Sequence, residues 1–147
     1  MNNLNSKILI INSGKVDNGQ VKYLSEATTK TLCERHGLPS SNIFHYEVTR
    51  IMEFPFTAHH LINMAQQERY PFFAVICIGY HFNCDTLYTT ISQQLIHISL
   101  ETKTPIINGI FFPDNSLKDF QHGGGLAEIA LEMIELYSIK SNLNNNK

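Results

Sequence analysis

The amino-acid sequence predicts an α/β protein in which a four-stranded parallel sheet forms the middle layer of a three-layer α/β/α sandwich. Two observations support this prediction. Short apolar runs without polar alternation recur along the chain, as expected for parallel strands that are covered on both faces. Segments in which apolar residues have helical spacing separate these runs and follow the last one. Repeated strand and helix units of this length indicate a doubly wound sheet with right-handed crossovers.

The predicted strands cover residues 7–11, 42–48, 72–78 and 106–112. The third is the clearest, because its sequence Phe-Phe-Ala-Val-Ile-Cys-Ile is an uninterrupted apolar run. The fourth is interrupted by Asn108 and Gly109. Ligands of such sheets bind outside the carboxyl ends of the strands, so we expect a functional site in the segments that follow them.

The predicted helices cover residues 18–36, 55–68, 86–103 and 126–140. Gly37 ends the first helix and Pro55 fits the first turn of the second. Asp85 or Thr86 caps the third. The inward-facing residues are expected to be Val21, Leu24, Ala27, Thr28 and Leu32; Phe56, Ala58, Leu61, Ile62 and Ala65; Leu87, Ile91, Leu95 and Ile98; and Leu126, Ile129, Ala130, Met133, Ile134 and Tyr137.

The chain is expected to form a single domain over residues 1–140. Residues 141–147 include four Asn and little that could be buried, so they are expected to be a disordered tail.

Bulk properties exclude several classes of protein. A net charge of -2 and a pI near 6.4 give no electrostatic footprint for nucleic acid or an anionic membrane. No apolar run is long enough to span a bilayer, and the first residues lack the pattern of a signal peptide. We therefore expect a cytoplasmic protein without nucleic-acid or membrane partners. Three widely spaced Cys residues are interpreted as thiols.

The junction between the third strand and the third helix is the main candidate site. Residues 79–88 place several chemically versatile side chains at one edge of the sheet, namely His81, Asn83, Cys84, Asp85, Thr86 and Tyr88. An ordinary polar loop remains the alternative, because loops are where polar residues normally lie.

Other patterns give no metal or cofactor site. His81, Cys84 and Asp85 are residue types that bind metals, but three ligands in one loop without a distant fourth are a weak signal. His59 and His60 are adjacent on a helix and point apart. The glycines at 123–125 could cradle an anion, but the Lys and Ser or Thr of a phosphate-binding loop are absent. We expect neither a metal nor a cofactor.

Four segments carry a family resemblance. They are Arg-His-Gly-Leu at 35–38, Val-Thr-Arg-Ile-Met-Glu-Phe-Pro at 48–55, Ser-Leu-Glu-Thr at 99–102 followed by Pro-Ile-Ile-Asn-Gly at 105–109, and Ala-Leu-Glu-Met at 130–133. The second falls where 6,7-dimethyl-8-ribityllumazine synthases have Val-Pro-Gly-Ala-Phe-Glu-Ile-Pro. From Lys7 to about Tyr137 the chain resembles this family in the order and spacing of its segments.

The resemblance implies a lumazine synthase-like, flavodoxin-like fold and a role in riboflavin biosynthesis. The family condenses 5-amino-6-ribitylaminouracil with 3,4-dihydroxy-2-butanone 4-phosphate, at a site between neighbouring subunits of a pentamer. Some members build decamers or sixty-subunit shells. A homopentamer is expected here, also because Phe111 and Phe112 follow a strand end where a lone monomer would expose them.

By resemblance, the proton-shuttling His of the family falls at Tyr88, and His81 is the second catalytic candidate. Glu53 falls near the ribityl chain and pyrimidine, and Thr86 near the phosphate. The full set of expected substrate contacts is Ile51, Met52, Glu53, His81, Phe82, Asp85, Thr86, Asn108 and His122.

The chain departs from the family at several of these positions. A phenol at residue 88 exchanges protons less readily near neutral pH than an imidazole does. The aromatic that stacks on the pyrimidine falls near Lys15 or Val16, and the aromatic contributed by a neighbour falls at Asn108. The segment at 114–123 is shorter than in the family and lacks the Arg that holds the phosphate.

Three functions therefore stay open. The first is a lumazine synthase of impaired activity, in which Tyr88, His81 or His122 transfers the proton. The second is a non-catalytic paralog that binds a flavin, a pterin or a similar ring at the subunit interface. The third is a structural assembly protein. Whether the chain is an enzyme is left undecided by its sequence, as are the ligand of the altered pocket and the size of the assembly.

Overall fold

The computed structural model describes residues 6–14, 19–113 and 124–145, with side chains as far as residue 136. Its centre is a sheet of four parallel strands: β1 (Ile8–Ser13), β2 (Ile43–Val48), β3 (Ala74–Tyr80) and β4 (Ile106–Phe111). The strand order is β2-β1-β3-β4, with Ile8 opposite both Ile43 and Ala74. The predicted fold class is confirmed, since all four predicted strands are present.

Four helices cover the two faces of the sheet: α1 (Gln20–Lys30), α2 (Phe54–Gln67), α3 (Thr86–Thr102) and α4 (Gly124–Asn145). A π-helical turn at Thr31–Arg35 extends α1, and short 3-10 turns lie at Ser40–Asn42 and Ile51–Glu53. Where the sequence places a disordered tail after residue 140, the helix continues to Asn145.

The hydrophobic core has two halves, one on each face of the sheet. Inward-facing residues of β1 and β3 pack with α1 and α4 on one face, where Ile10, Leu24 and Leu126 are fully buried. On the other face α2 and α3 pack over Ile11 and Cys77. Burial raises the pKa of the Cys77 thiol to about 12, so this group is an inert part of the core.

Glycine at position 109 explains why β4 continues through the predicted interruption. A Cβ added there would lie 2.8 Å from the Cys77 carbonyl oxygen and 3.0 Å from Leu126 Cδ1. The absence of a side chain therefore lets α4 pack closely on the strand.

Several predictions of burial are wrong. Phe56, Leu87, Ile129 and Met133 were expected to face inward but are exposed, because each outer helix rests on the sheet by one face and these residues lie outside it. Phe56 instead stacks on His60 with ring centroids 5.9 Å apart. Phe111 was expected to be exposed in a lone protomer, yet it is fully buried and packs against Tyr80.

Candidate functional site

The carboxyl ends of the central strands converge at Gly79. A Cβ added to Gly79 would lie 2.7 Å from Ile51 Cγ2, 2.8 Å from Ser13 Oγ and 3.0 Å from Phe54 Cε2. Only a hydrogen fits at this position, so the end of β1 and the turn before α2 close over β3. This junction forms the floor of the candidate site.

The turn before α2 is held together by one of the expected substrate contacts. Glu53 Oε2 accepts hydrogen bonds from the amides of Thr49, at 2.9 Å, and Arg50, at 3.5 Å. Ile51 is buried in the core, whereas Met52 is 54% exposed. An open cleft of about 510 Å³ runs beside the turn and is lined partly by Met52 and Glu53. The Glu53 carboxylate therefore both shapes the turn and lines the cleft.

His81 and Asp85 form a pair at the carboxyl end of β3. His81 Nε2 lies 3.0 Å from both carboxylate oxygens of Asp85. The His81 amide donates to the Phe111 carbonyl at 3.0 Å, which ties the loop to the end of β4. The side chain of His81 is only 10% exposed, so the ring is held in one position.

Asp85 is also the N-cap of α3, because its Oδ1 accepts from the Tyr88 amide at 2.9 Å. This hydrogen bond, followed by the one with His81, lowers the pKa of the Asp85 carboxyl. The carboxylate is thus ionised at neutral pH and can only accept hydrogen bonds. His81 Nε2 must then carry the proton in this pair, and Nδ1 of the neutral ring keeps a lone pair.

Tyr88 has different partners. Asn108 Nδ2 donates to the Tyr88 hydroxyl at 3.3 Å and to Ser92 Oγ at 2.9 Å. Asn108 Oδ1 accepts from the Ile110 amide at 3.0 Å, which fixes the orientation of the Asn108 amide group. The Tyr88 ring packs edge-on against Phe112 at 4.9 Å. Sequence reasoning missed Ser92 and Phe112; the position of Ser92 one helical turn after Tyr88 could have indicated it.

The two catalytic candidates are not partners of each other. Asn108 pairs with Cys77 in the sheet, while Phe111, which accepts from the His81 amide, pairs with Tyr80. The corresponding distance along a strand is roughly 10 Å. The Tyr88 hydroxyl therefore lies towards the middle of β4, and His81 lies at its carboxyl end.

The remaining predicted residues vary in their placement. Phe82 is exposed and its ring centroid lies 4.6 Å from that of His81. Thr86 is exposed at the first position of α3. His122 lies outside the described residues, as does the whole segment 114–123.

A second cleft, of about 730 Å³, lies between α1 and β2 and includes none of the predicted site residues. His45 lines it, and burial lowers the pKa of its imidazole. Within the described ranges, no three His, Cys, Asp or Glu side chains are grouped closely enough to hold a metal ion. No helix in those ranges is long and apolar enough to cross a membrane.

Comparison with known proteins agrees with this architecture. A family model described as 6,7-dimethyl-8-ribityllumazine synthase matches residues 5–138. A protein described as 6,7-dimethyl-8-ribityllumazine synthase, from Leuconostoc mesenteroides subsp. mesenteroides, is 28% identical over 140 residues, which cover 92% of this chain and 88% of the relative. The match extends over the sheet, the first three helices, most of α4 and the Gly79 junction, and the chain belongs to the 6,7-dimethyl-8-ribityllumazine synthase family.

Proposed function

We propose that this protein forms 6,7-dimethyl-8-ribityllumazine from 5-amino-6-ribitylaminouracil and 3,4-dihydroxy-2-butanone 4-phosphate. In this proposal His81 is the proton-transfer group, and the rate is below that of typical enzymes. Membership of the lumazine synthase family supports a role of the riboflavin biosynthesis type. The observation that carries the assignment to His81 is its pairing with an ionised Asp85 at the edge of the sheet.

The chemistry requires a group that moves protons near neutral pH. When the substrate amine attacks the carbonyl carbon, nitrogen loses a proton, and the departing oxygen gains one. Imidazole suits both steps, and a carboxylate on Nε2 orients the ring and stabilises its protonated form. In this proposal Nδ1 of His81 faces the reacting atoms, while Tyr88 forms part of the wall.

Phosphate binding is the step that we expect to be weak. Thr86 and the first amides of α3 would receive the phosphate in this proposal, since helix N-termini attract anions. The Asp85 carboxylate occupies part of the same helix end and repels an incoming anion. Slow turnover through poor substrate positioning follows from this repulsion.

A second candidate is a protein that binds a flavin, a pterin or a similar ring without turnover. Tyr88 favours it, because the hydroxyl at the position of the family's His is held by Asn108 rather than by a cationic group. Met52 and Glu53 serve either candidate, since both line the cleft beside the turn before α2.

The test is to incubate the full-length protein with both precursors and to follow product formation by absorbance. In parallel, the product is titrated into the protein to measure its binding. Product formation above the uncatalysed rate supports the synthase, and tight binding without turnover supports the second candidate. Glu53→Gln is the informative variant, because its amide oxygen can still accept from Thr49 and Arg50 and so keep the turn. Loss of turnover in Glu53→Gln, with unfolding unchanged, would locate the activity at this cleft.

We also propose that the protein works as a homopentamer, as the family suggests. Large apolar side chains on α2 and α3 support this proposal: Phe56 is 77% exposed and Leu100 is 75% exposed. Large apolar side chains that are this exposed in one protomer are often covered by another chain.

A further inference from the structure

The side chains of His59, His97 and Glu101 form a polar cluster that links α2 to α3 on their solvent side. Glu101 Oε1 lies 3.5 Å from Nε2 of His59 on α2. Glu101 Oε2 lies 3.3 Å from Nε2 of His97, one helical turn earlier on α3. Asn63 Nδ2 lies 3.4 Å from His59 Nδ1, and the Asn63 amide can present either its nitrogen or its oxygen to the ring. One carboxylate therefore holds two imidazoles, with one oxygen for each ring.

The cluster lies among the exposed apolar side chains that we propose to be covered in the pentamer. Phe56 lies one helical turn before His59, and Leu100 lies one turn after His97, so each is a surface neighbour of one imidazole. All three side chains of the cluster are accessible in the protomer, where Glu101 is 54% exposed. A second copy that covers this face would remove water from the carboxylate and from both rings.

The charge of the cluster depends on how many imidazoles are protonated, and imidazole is the side chain whose charge changes between about pH 5 and pH 8. With Glu101 ionised and both rings neutral, the cluster carries one negative charge. One proton removes this net charge, and a second proton makes the cluster positive. A neutral imidazole can still donate to the carboxylate, but only an imidazolium balances its charge. Because an unbalanced buried charge is costly, covering this face is easiest when one proton balances Glu101.

Other titratable and charged groups on the elements packed around the cluster form no ion pair with it among the described contacts. They are Arg50 and Glu53 before α2, His60 on α2, Glu68 and Arg69 after α2, Tyr88 on α3, and Lys103 after α3. Of these, His60 is the other imidazole, and its ring stacks on Phe56. Protonation of His60 would add a charge without a carboxylate partner, so it would oppose assembly in acid.

We infer that His59, Glu101 and His97 form a proton-sensitive contact for a second copy of this chain, which strengthens assembly through the α2 and α3 face as the pH falls from about 8 to about 6. The inference rests on the pentamer proposed above. Its sign follows from linkage: because the covered cluster holds a proton more readily than the exposed one, assembly takes up protons and is favoured by acid.

The experiment measures the mass of the full-length protein by light scattering over a dilution series, at pH 6 and pH 8 and at one ionic strength. Half-assembly of the wild-type chain should need a lower concentration at pH 6, by about 10-fold, the effect of pairing one buried charged group. Circular dichroism at both pH values establishes that the protomer stays folded.

Glu101→Gln is the decisive variant, because Gln keeps polar atoms for both rings but carries no charge. The cluster is then uncharged with neutral rings and positive after protonation, so assembly should be weaker at pH 6 than at pH 8. The double variant His59→Gln/His97→Gln leaves the carboxylate without an imidazolium and should lose the strengthening at pH 6. A Glu101→Gln chain that still assembles more strongly at pH 6 would overturn the inference.

His45→Gln is the matched control, since His45 lies on β2 and lines the cleft beside α1. It should keep the wild-type pH dependence. Repeating the series in EDTA tests a metal ion as the link between the rings, and a pH dependence that disappears in EDTA would overturn the inference. A pentamer of equal strength at pH 6 and pH 8 overturns the inference but keeps the proposed assembly. A monomer at both pH values removes both.

Discussion

At the scale of single residues, Asp85 links the fold to the chemistry. One carboxylate caps α3 through the Tyr88 amide and also fixes the ring of His81. The stability of the helix start and the orientation of the proposed proton-transfer group therefore depend on the same side chain. Its removal is expected to affect both unfolding and turnover.

The pH dependence of stability tests this double role. The pKa of Asp85 in the folded protein is below its ordinary value of 3.8, so its contribution is present above that pH and is lost as the pH falls through the lower value. Asp85→Asn keeps a capping side chain but cannot ionise. In urea unfolding, wild type should be more stable than Asp85→Asn from pH 5 to 7, and the difference should shrink below about pH 4. A difference of the same size at pH 3 and pH 7 would contradict this role.

Restoring the family's His at position 88 should not restore an efficient enzyme. In Tyr88→His the new imidazole has Asn108 beside it and lies away from His81, and the repulsion of phosphate by Asp85 persists. We expect turnover of the two precursors to remain well below about 1 per second, the lower end for typical enzymes. Turnover at or above that rate in a Tyr88→His variant would show that position 88 alone limits the activity.

At the scale of elements, the sequence was a good guide to strands and a poorer guide to helix faces. The strand pattern of the sequence predicted all four strands, each within two residues of its observed bounds, although Asn108 and Gly109 interrupt the fourth apolar run. Helical spacing alone could not show whether Phe56 and Leu87 face the core or the surface of the protomer. An apolar helix face that contacts another subunit, or that is simply exposed, has the same spacing as one that packs on the sheet. Which face of a helix is buried depends on the tertiary structure.

The candidate site was also predicted only in part. The residue types at 81–88 predicted a site at this edge of the sheet, which stays a prediction; the pairing of His81 with Asp85 there was not predicted. The separation of Tyr88 from His81 could not be predicted, since it depends on the register of β4 against β3. Ser92 was missed, although its position one helical turn after Tyr88 places the two side chains on the same face of α3.

The junction at Gly79 gives a test at this scale. Gly79→Ala would place a methyl group within 3.0 Å of Ile51, Ser13 and Phe54, which overpacks the point where the turn meets β3. We expect a loss of about 1 to 3 kcal/mol in the free energy of unfolding, the usual cost of inserting atoms into a packed core. Urea denaturation would measure it, with Thr90→Ala as the exposed control. An unchanged free energy of unfolding would mean that this junction is looser than the distances indicate.

At the scale of the whole molecule, we predict assembly through the α2 and α3 face. Light scattering at micromolar concentration should give the mass of a pentamer. Leu100→Glu should lower the mass without loss of helix in circular dichroism, because a charge would be buried at the contact. Leu136→Glu, at an exposed apolar position on α4 across the sheet, is the matched control. A monomeric mass for the wild-type chain would contradict the proposed pentamer.

In the proposed reaction, His81 transfers the proton in place of position 88, where the family has its His. The most direct measurement is kcat for lumazine formation at saturating precursors in Tyr88→Phe and His81→Gln, side by side with wild type. We predict that Tyr88→Phe keeps the wild-type kcat, with its effect confined to KM, while His81→Gln loses about 10²-fold or more in kcat. The opposite pattern, with kcat lost in Tyr88→Phe and retained in His81→Gln, would contradict it.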